Sequence, residues 1–190
     1  MEKIETGTPT ERLKRAFMST RAVLAAVRPS ELDRPTPCAS WDVRSLIDHL
    51  FGTIRWGVVA VSGGELLLEG TNGDLLTSYD ETIEIALAAF EANGVLDMRL
   101  SLPIGDLSGA DVMGIVTRDQ FVHGWDLARA IGHETDLDPE LAGELLVEAR
   151  FSIPDELRGP DGEGTFGAIV GVPAGASPAD QLAAFLGRSM

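Results

Sequence analysis

The segment Arg118-Asp119-Gln120-Phe121-Val122-His123-Gly124-Trp125-Asp126-Leu127 decides how this chain is read. It lies inside a longer amphipathic run, from about Ser108 to Ile131, that ends at Gly132 and predicts a helix. At about 100° per residue, Asp119, His123 and Asp126 fall within about 60° of one another. Val112, Ile115, Val116 and Ala130 share that face, whereas Arg118 and Arg129 point elsewhere. A carboxylate and an imidazole one turn apart on an apolar stripe can both reach one metal ion, as in helix-borne zinc sites. The same spacing also suits a plain hydrogen-bonded Asp–His pair, so the pair needs a further partner before it means more.

Only three histidines are present, and His49 is the natural third donor. It belongs to a second predicted helix, which opens near Ser40 or Asp42 and runs to Ser62 before Gly63-Gly64. Val43, Leu46, Ile47, Leu50, Ile54 and Val58 form its core stripe. His49 stands about 140° from the centre of that stripe, beside Asp42, Thr53 and Trp56. Such a position is either solvated or, in a bundle, turned to a central cleft. His133, just after Gly132, reads as a surface residue near a helix C-terminus, where a cation is favourable. Asp126 reads as an acceptor behind the site or a packing residue, not as a fourth ligand. Cys38 is either a small buried hydrophobe or a thiol near the cleft entrance. Trp41 and Trp125 read as packing residues in preference to substrate platforms, and Asp48 with Arg44 as an i, i+4 ion pair.

Two more long helices are predicted: Pro9 to Val27, and Asp74 to Ala92 with Leu75, Leu76, Ile83, Leu87 and Phe90 inward. Arg28 to Ser40, with Pro29, Pro35 and Pro37, reads as an extended loop. Met98–Pro103 reads as a strand or an extended crossing, and shorter helices are predicted near Pro139–Arg150 and Pro178–Leu186. Four helices of about 20 residues joined by long connections describe an all-α bundle, with minor β structure and at least one crossover, for which the Gly- and Pro-bearing loop before the fourth helix is a candidate. Residues 1–190 suit one domain, with 44% hydrophobic and only 6% aromatic residues.

Thirty acidic against fifteen basic residues give a net charge of −15, which argues against nucleic acid or an anionic membrane as partner. No apolar run approaches the roughly 20 residues of a membrane helix, and no signal-peptide pattern opens the chain. One cysteine excludes an internal disulfide and a cysteine-rich zinc site. A cytoplasmic protein is expected, and the preference for arginine over lysine hints at a GC-rich genome.

Three segments together carry a family resemblance. They are Thr36-Pro37-Cys38-Ala39-Ser40-Trp41-Asp42-Val43-Arg44-Ser45-Leu46-Ile47-Asp48-His49-Leu50, then Val122-His123-Gly124-Trp125-Asp126-Leu127-Ala128-Arg129-Ala130, and a tail from Phe166-Gly167 through Val172-Pro173-Ala174 to Leu182–Arg188. The chain resembles actinobacterial proteins of the mycothiol-dependent maleylpyruvate isomerase metal-binding domain type, in the DinB/YfiT-like superfamily. The resemblance implies a DinB-like four-helix bundle with a three-residue metal site, in which His49 and His123 match the family's histidines. Asp119 stands where the isomerase has a glutamate, one methylene longer. The isomerase also carries a further C-terminal domain for which 190 residues leave no room, so its substrate-binding residues do not carry over.

The resemblance further implies a divalent ion, zinc first with nickel or another divalent ion as alternatives, and mycothiol as thiol cofactor. The implied activity is a mycothiol-dependent transferase or isomerase acting on a small electrophile, with Asp126 or a water handling protons. The rival readings are a metal-dependent hydrolase, again with Asp126 as base, and a non-enzymatic metal-binding stress or interaction protein. Bundles of this type pair through an exposed apolar helix face, so a homodimer is compatible.

Overall fold

The computed structural model describes residues 7–38, 40–64, 74–160 and 164–190. Six helices dominate them: α1 (Pro9–Leu24), α2 (Val43–Ser62), α3 (Leu75–Glu91), α4 (Gly109–Ile131), α5 (Pro139–Ser152) and α6 (Pro178–Phe185). Among the described residues the strands form one antiparallel hairpin of β1 (Arg99–Leu102) and β2 (Gly105–Ser108) just before α4. The fold is all-α with a minor β element. None of these helices is long and apolar enough to cross a membrane.

Local chemistry sets the boundaries. The side chains of Thr8, Asp42, Asp74 and Ser108 each accept a backbone N–H from the first turn of α1, α2, α3 and α4. Asp42, rather than Ser40, therefore starts α2. α1 stops at Leu24, short of the expected Val27, because the amides of Ala26 and Val27 turn back to the carbonyls of Val23 and Leu24. The expected extended loop after it contains one 3₁₀ turn, Pro29–Glu31, closed by the Glu31 carboxylate accepting the Arg28 amide at 3.0 Å. Arg44 pairs with Asp33 in that loop at 3.3 Å instead of with Asp48.

α1 and α2 each pack against both α3 and α4, so the long helices close a ring in the order α1–α4–α2–α3. Sequence neighbours α1 and α2 thus stand on one diagonal, and α3 and α4 on the other. The crossover expected before α4 is there, carried by the hairpin, and a second lies between α1 and α2. This ring makes α2 and α4 neighbours.

α4 is the central element. Gln120 through Ala128 are consecutively buried, because one side of α4 faces the bundle core (Phe17, Leu50, Ile54, Phe90) and the other faces a second core with α5 and α6 (Phe121, Trp125, Leu145, Leu182). α3 presents Tyr79, Thr82, Ala86 and Phe90 as its innermost face; Leu75, Leu76, Ile83 and Leu87, expected inward, are half-buried. Two polar residues fit there because each has a partner. The Thr82 hydroxyl donates to the Ser78 carbonyl at 2.8 Å, and the Tyr79 hydroxyl donates to Gln120 Oε1 at 2.7 Å. Gln120, fully buried, also donates from Nε2 to the Leu50 carbonyl at 2.8 Å, and its own carbonyl accepts the Thr20 hydroxyl at 2.7 Å. One residue thereby ties all four long helices together. Next to it, Gly124 lets α1 lie against α4: a Cβ there would sit 2.5 Å from Thr20 Oγ1.

Candidate metal centre

His49 projects from the N-terminal half of α2, and Asp119 and His123 project from α4 one turn apart. His49 Nε2 lies 3.1 Å from Asp119 Oδ2, and His123 Nε2 lies 3.6 Å from the same oxygen. The three donor atoms fall within 4.8 Å of one another. Trp41, on the segment leading into α2, covers both imidazoles, with ring centroids 4.4 Å from His49 and 5.5 Å from His123. The His49 side chain is 31% exposed and that of His123 10%, so access to the cluster is from the His49 side.

Two features fit a divalent ion. Bonds of about 2.0–2.1 Å to a tetrahedral ion place ligand atoms about 3.4 Å apart, and the observed separations bracket that value. Asp119 Oδ1 is buried without a hydrogen-bond partner, an arrangement that costs free energy unless something else reaches it. Burial pushes the Asp119 carboxyl up, but the charge of His123 and the hydrogen bond from His49 outweigh it and hold the group below its ordinary value. Thr53, one turn after His49, places Oγ1 3.2 Å from His49 Nε2.

Behind His123 lies a second polar tier. Asp126, fully buried, sits with Oδ2 2.9 Å from His123 Nδ1. An ionised carboxylate only accepts, so this contact assigns a proton to Nδ1, which leaves Nε2, on the Asp119 side, as the ligand atom. Cys38 Sγ donates to Asp126 Oδ2 at 3.3 Å and lies 3.8 Å from His123 Nδ1. Cys38, His123 and Asp126 form a second group with metal-ligand atoms close together. Arg188 already brings a positive charge to that group, with Nη2 3.2 Å from Asp126 Oδ2 and 3.7 Å from Cys38 Sγ. A guanidinium there opposes a second cation. Burial, and then the Asp126 charge, push the Cys38 thiol up to about 12. Burial raises the Asp126 carboxyl too, but the His123 hydrogen bond and the Arg188 charge bring it below its usual range.

The structure thus brings together the three residues singled out in the sequence, and puts Asp126 directly behind His123. His133 is apart from them, exposed, with Nδ1 3.3 Å from the Glu134 carbonyl. Trp125 is a packing residue whose indole N–H donates to Asp180 at 2.8 Å. Arg188 closes the tail motif noted in the sequence, but its pairing with Asp126 is not readable there, because no spacing links residues 62 positions apart.

Comparison with known proteins identifies the family. Residues 13–128 match the model of the mycothiol maleylpyruvate isomerase N-terminal domain, a span that contains His49, Asp119 and His123 and ends before Arg188. Proteins described as uncharacterized from two strains of Mycobacterium tuberculosis are each 36% identical over 181 residues, covering 93% of this chain and 96% of the relative. No solved structure matches.

Proposed function

Because the chain belongs to the family of mycothiol maleylpyruvate isomerase N-terminal domains, we propose that His49, Asp119 and His123 hold one divalent ion, zinc in the first instance, for mycothiol-dependent transfer or isomerisation of a small electrophile in the cytoplasm. The observation that carries this reading is the convergence of two imidazole nitrogens and one carboxylate oxygen, with Asp119 Oδ1 left unpaired. A divalent ion, when bound, lowers the pKa of a coordinating thiol and so raises its thiolate fraction at neutral pH. The protein's part is to hold and shape the site. His49 and His123 would each offer Nε2, Asp119 supplies the negative charge, and Asp126 keeps a proton on His123 Nδ1. Trp41 shields one side of both rings from water, which leaves the His49 side for thiol and electrophile.

Hydrolysis is the weaker reading. It needs a general base on the open side, and Asp126, the candidate named from the sequence, has His123, Arg188 and Cys38 on it and no exposed surface. We assign Asp126 to orientation, not proton transfer.

Elemental analysis of tag-free protein beside a His123→Ala variant tests the ligand assignment. About one zinc per chain, lost in the variant, is the expected result. Absence of metal from the wild type after reconstitution with zinc, nickel and manganese overturns it. Consumption of an electrophile that depends on both metal and mycothiol then tests the catalytic reading. A loaded protein inert toward a panel of electrophiles is instead a metal-carrying binding protein.

A further inference from the structure

Arg188 directs two of its guanidinium nitrogens at the polar tier behind His123. Its Nε lies 3.3 Å from Asp126 Oδ1, its Nη2 3.2 Å from Oδ2, and its Nη1 donates to the Leu186 carbonyl at 3.1 Å. The fork therefore engages both carboxylate oxygens while a main-chain acceptor fixes its remaining arm. Asp126 Oδ2 receives His123 Nδ1–H, Arg188 and the Cys38 thiol together, so the carboxylate has little freedom to rotate.

The aim of Arg188 is built into the backbone just past the end of α6. Gly187 adopts φ 91, a left-handed value that suits glycine, and packs its Cα on Gly167, where a side chain has no room. The Arg188 amide then returns to the Ala183 carbonyl at 3.0 Å, closing the helix end and turning the side chain toward α4. The other end of α6 is tied to α4 as well, through Asp180, which accepts the Trp125 indole N–H at 2.8 Å. Consecutive residues of α4, Trp125 and Asp126, are thus gripped from the two ends of α6.

We propose that Arg188 is a positioning residue of the metal centre: it locks Asp126, which holds the His123 ring with Nδ1 protonated and Nε2 directed at Asp119. The inference rests on the ligand assignment above and extends it to a segment outside the matched family region. Docking of α6 and the order of the metal site become one property.

The test uses the full chain as wild type, Arg188→Met, Arg188→Lys, Asp126→Asn and the Arg188→Met/Asp126→Asn double variant, with circular dichroism to verify helix content. Nitrogen-15 spectra of histidine-labelled, metal-free protein at alkaline pH report the tautomer of His123. Wild type and Arg188→Lys should show Nδ1–H alone, and Arg188→Met a mixture of both tautomers. Zinc affinity, read by competition with a chromophoric chelator, should fall by roughly 10- to 100-fold in Arg188→Met, the usual loss when a ligand's supporting residue is removed. The double variant should lose no more than Asp126→Asn alone, since Arg188 acts through that carboxylate. Arg188→Met with a wild-type tautomer and wild-type affinity overturns the proposal, as does a loss that adds to that of Asp126→Asn. Wild type that binds no zinc refutes the ligand assignment instead, while the tautomer of the metal-free protein still decides the role of Arg188.

Discussion

Replacing Gln120 by leucine should expose how much of the bundle depends on one buried amide. The substitution removes the acceptor for the Tyr79 hydroxyl and the donor to the Leu50 carbonyl, both fully buried at 2.7 and 2.8 Å. Two net hydrogen bonds account for about 1–3 kcal/mol, and a Tyr79 hydroxyl left with Thr20 as its remaining side-chain partner for up to about 1–3 kcal/mol more. Gain from the larger apolar side chain offsets part of this, about 1–2 kcal/mol. The expected net loss for Gln120→Leu is about 2–3 kcal/mol. Tyr79→Phe alone should cost about 1–2 kcal/mol, because Gln120 Oε1 then has no donor. In the double variant both polar groups are gone and neither is stranded. Its loss should therefore fall short of the sum of the singles by about 1–2 kcal/mol. Urea denaturation of the metal-free variants, with matched m values, measures all three. Strict additivity would refute the idea that these two side chains satisfy each other.

Single contacts set the other expectations. Gly124→Ala gains about 1 kcal/mol of helix propensity but pushes a methyl group onto Thr20 Oγ1, so a net loss of about 1–2 kcal/mol in a thermal melt is expected. Glu31, held by the Arg28 side chain and amide, has its carboxyl brought down from 4.5 to about 2. A lowered carboxyl contributes stability that is complete above pH 4.5 and lost as pH falls toward 2, so Glu31→Gln should flatten that part of the acid-denaturation profile.

The candidate donors were legible because helical spacing alone puts Asp119 and His123 on one face, and because so few histidines were left to complete the set. The sequence offered Asp42 as one of two caps for α2 and placed the starts of α3 and α4 near Asp74 and Ser108, where the structure has their capping side chains. What escaped the sequence is non-local or polar. β2, Gly105-Asp106-Leu107-Ser108, has no β-branched or aromatic residue and forms only by pairing with β1. Periodicity misplaces the inner face of α3 because Thr82 and Tyr79 are buried through partners that a hydrophobic pattern does not reveal. The role of Arg188, quoted in the sequence only as the end of a tail motif, became visible once the end of α6 was seen against α4.

The diagonal ring has a bearing on when an ion can be held at all. Asp119 and His123 approach each other as soon as α4 coils, but His49 joins them only after the chain has crossed the bundle twice. A nascent or partly opened molecule therefore offers a two-donor site, which grips a divalent ion far more weakly than three. On the proposed ligand set, full coordination would then act as a seal on the finished topology: loading the ion would select molecules whose helices have all found their places, and opening the bundle would release it.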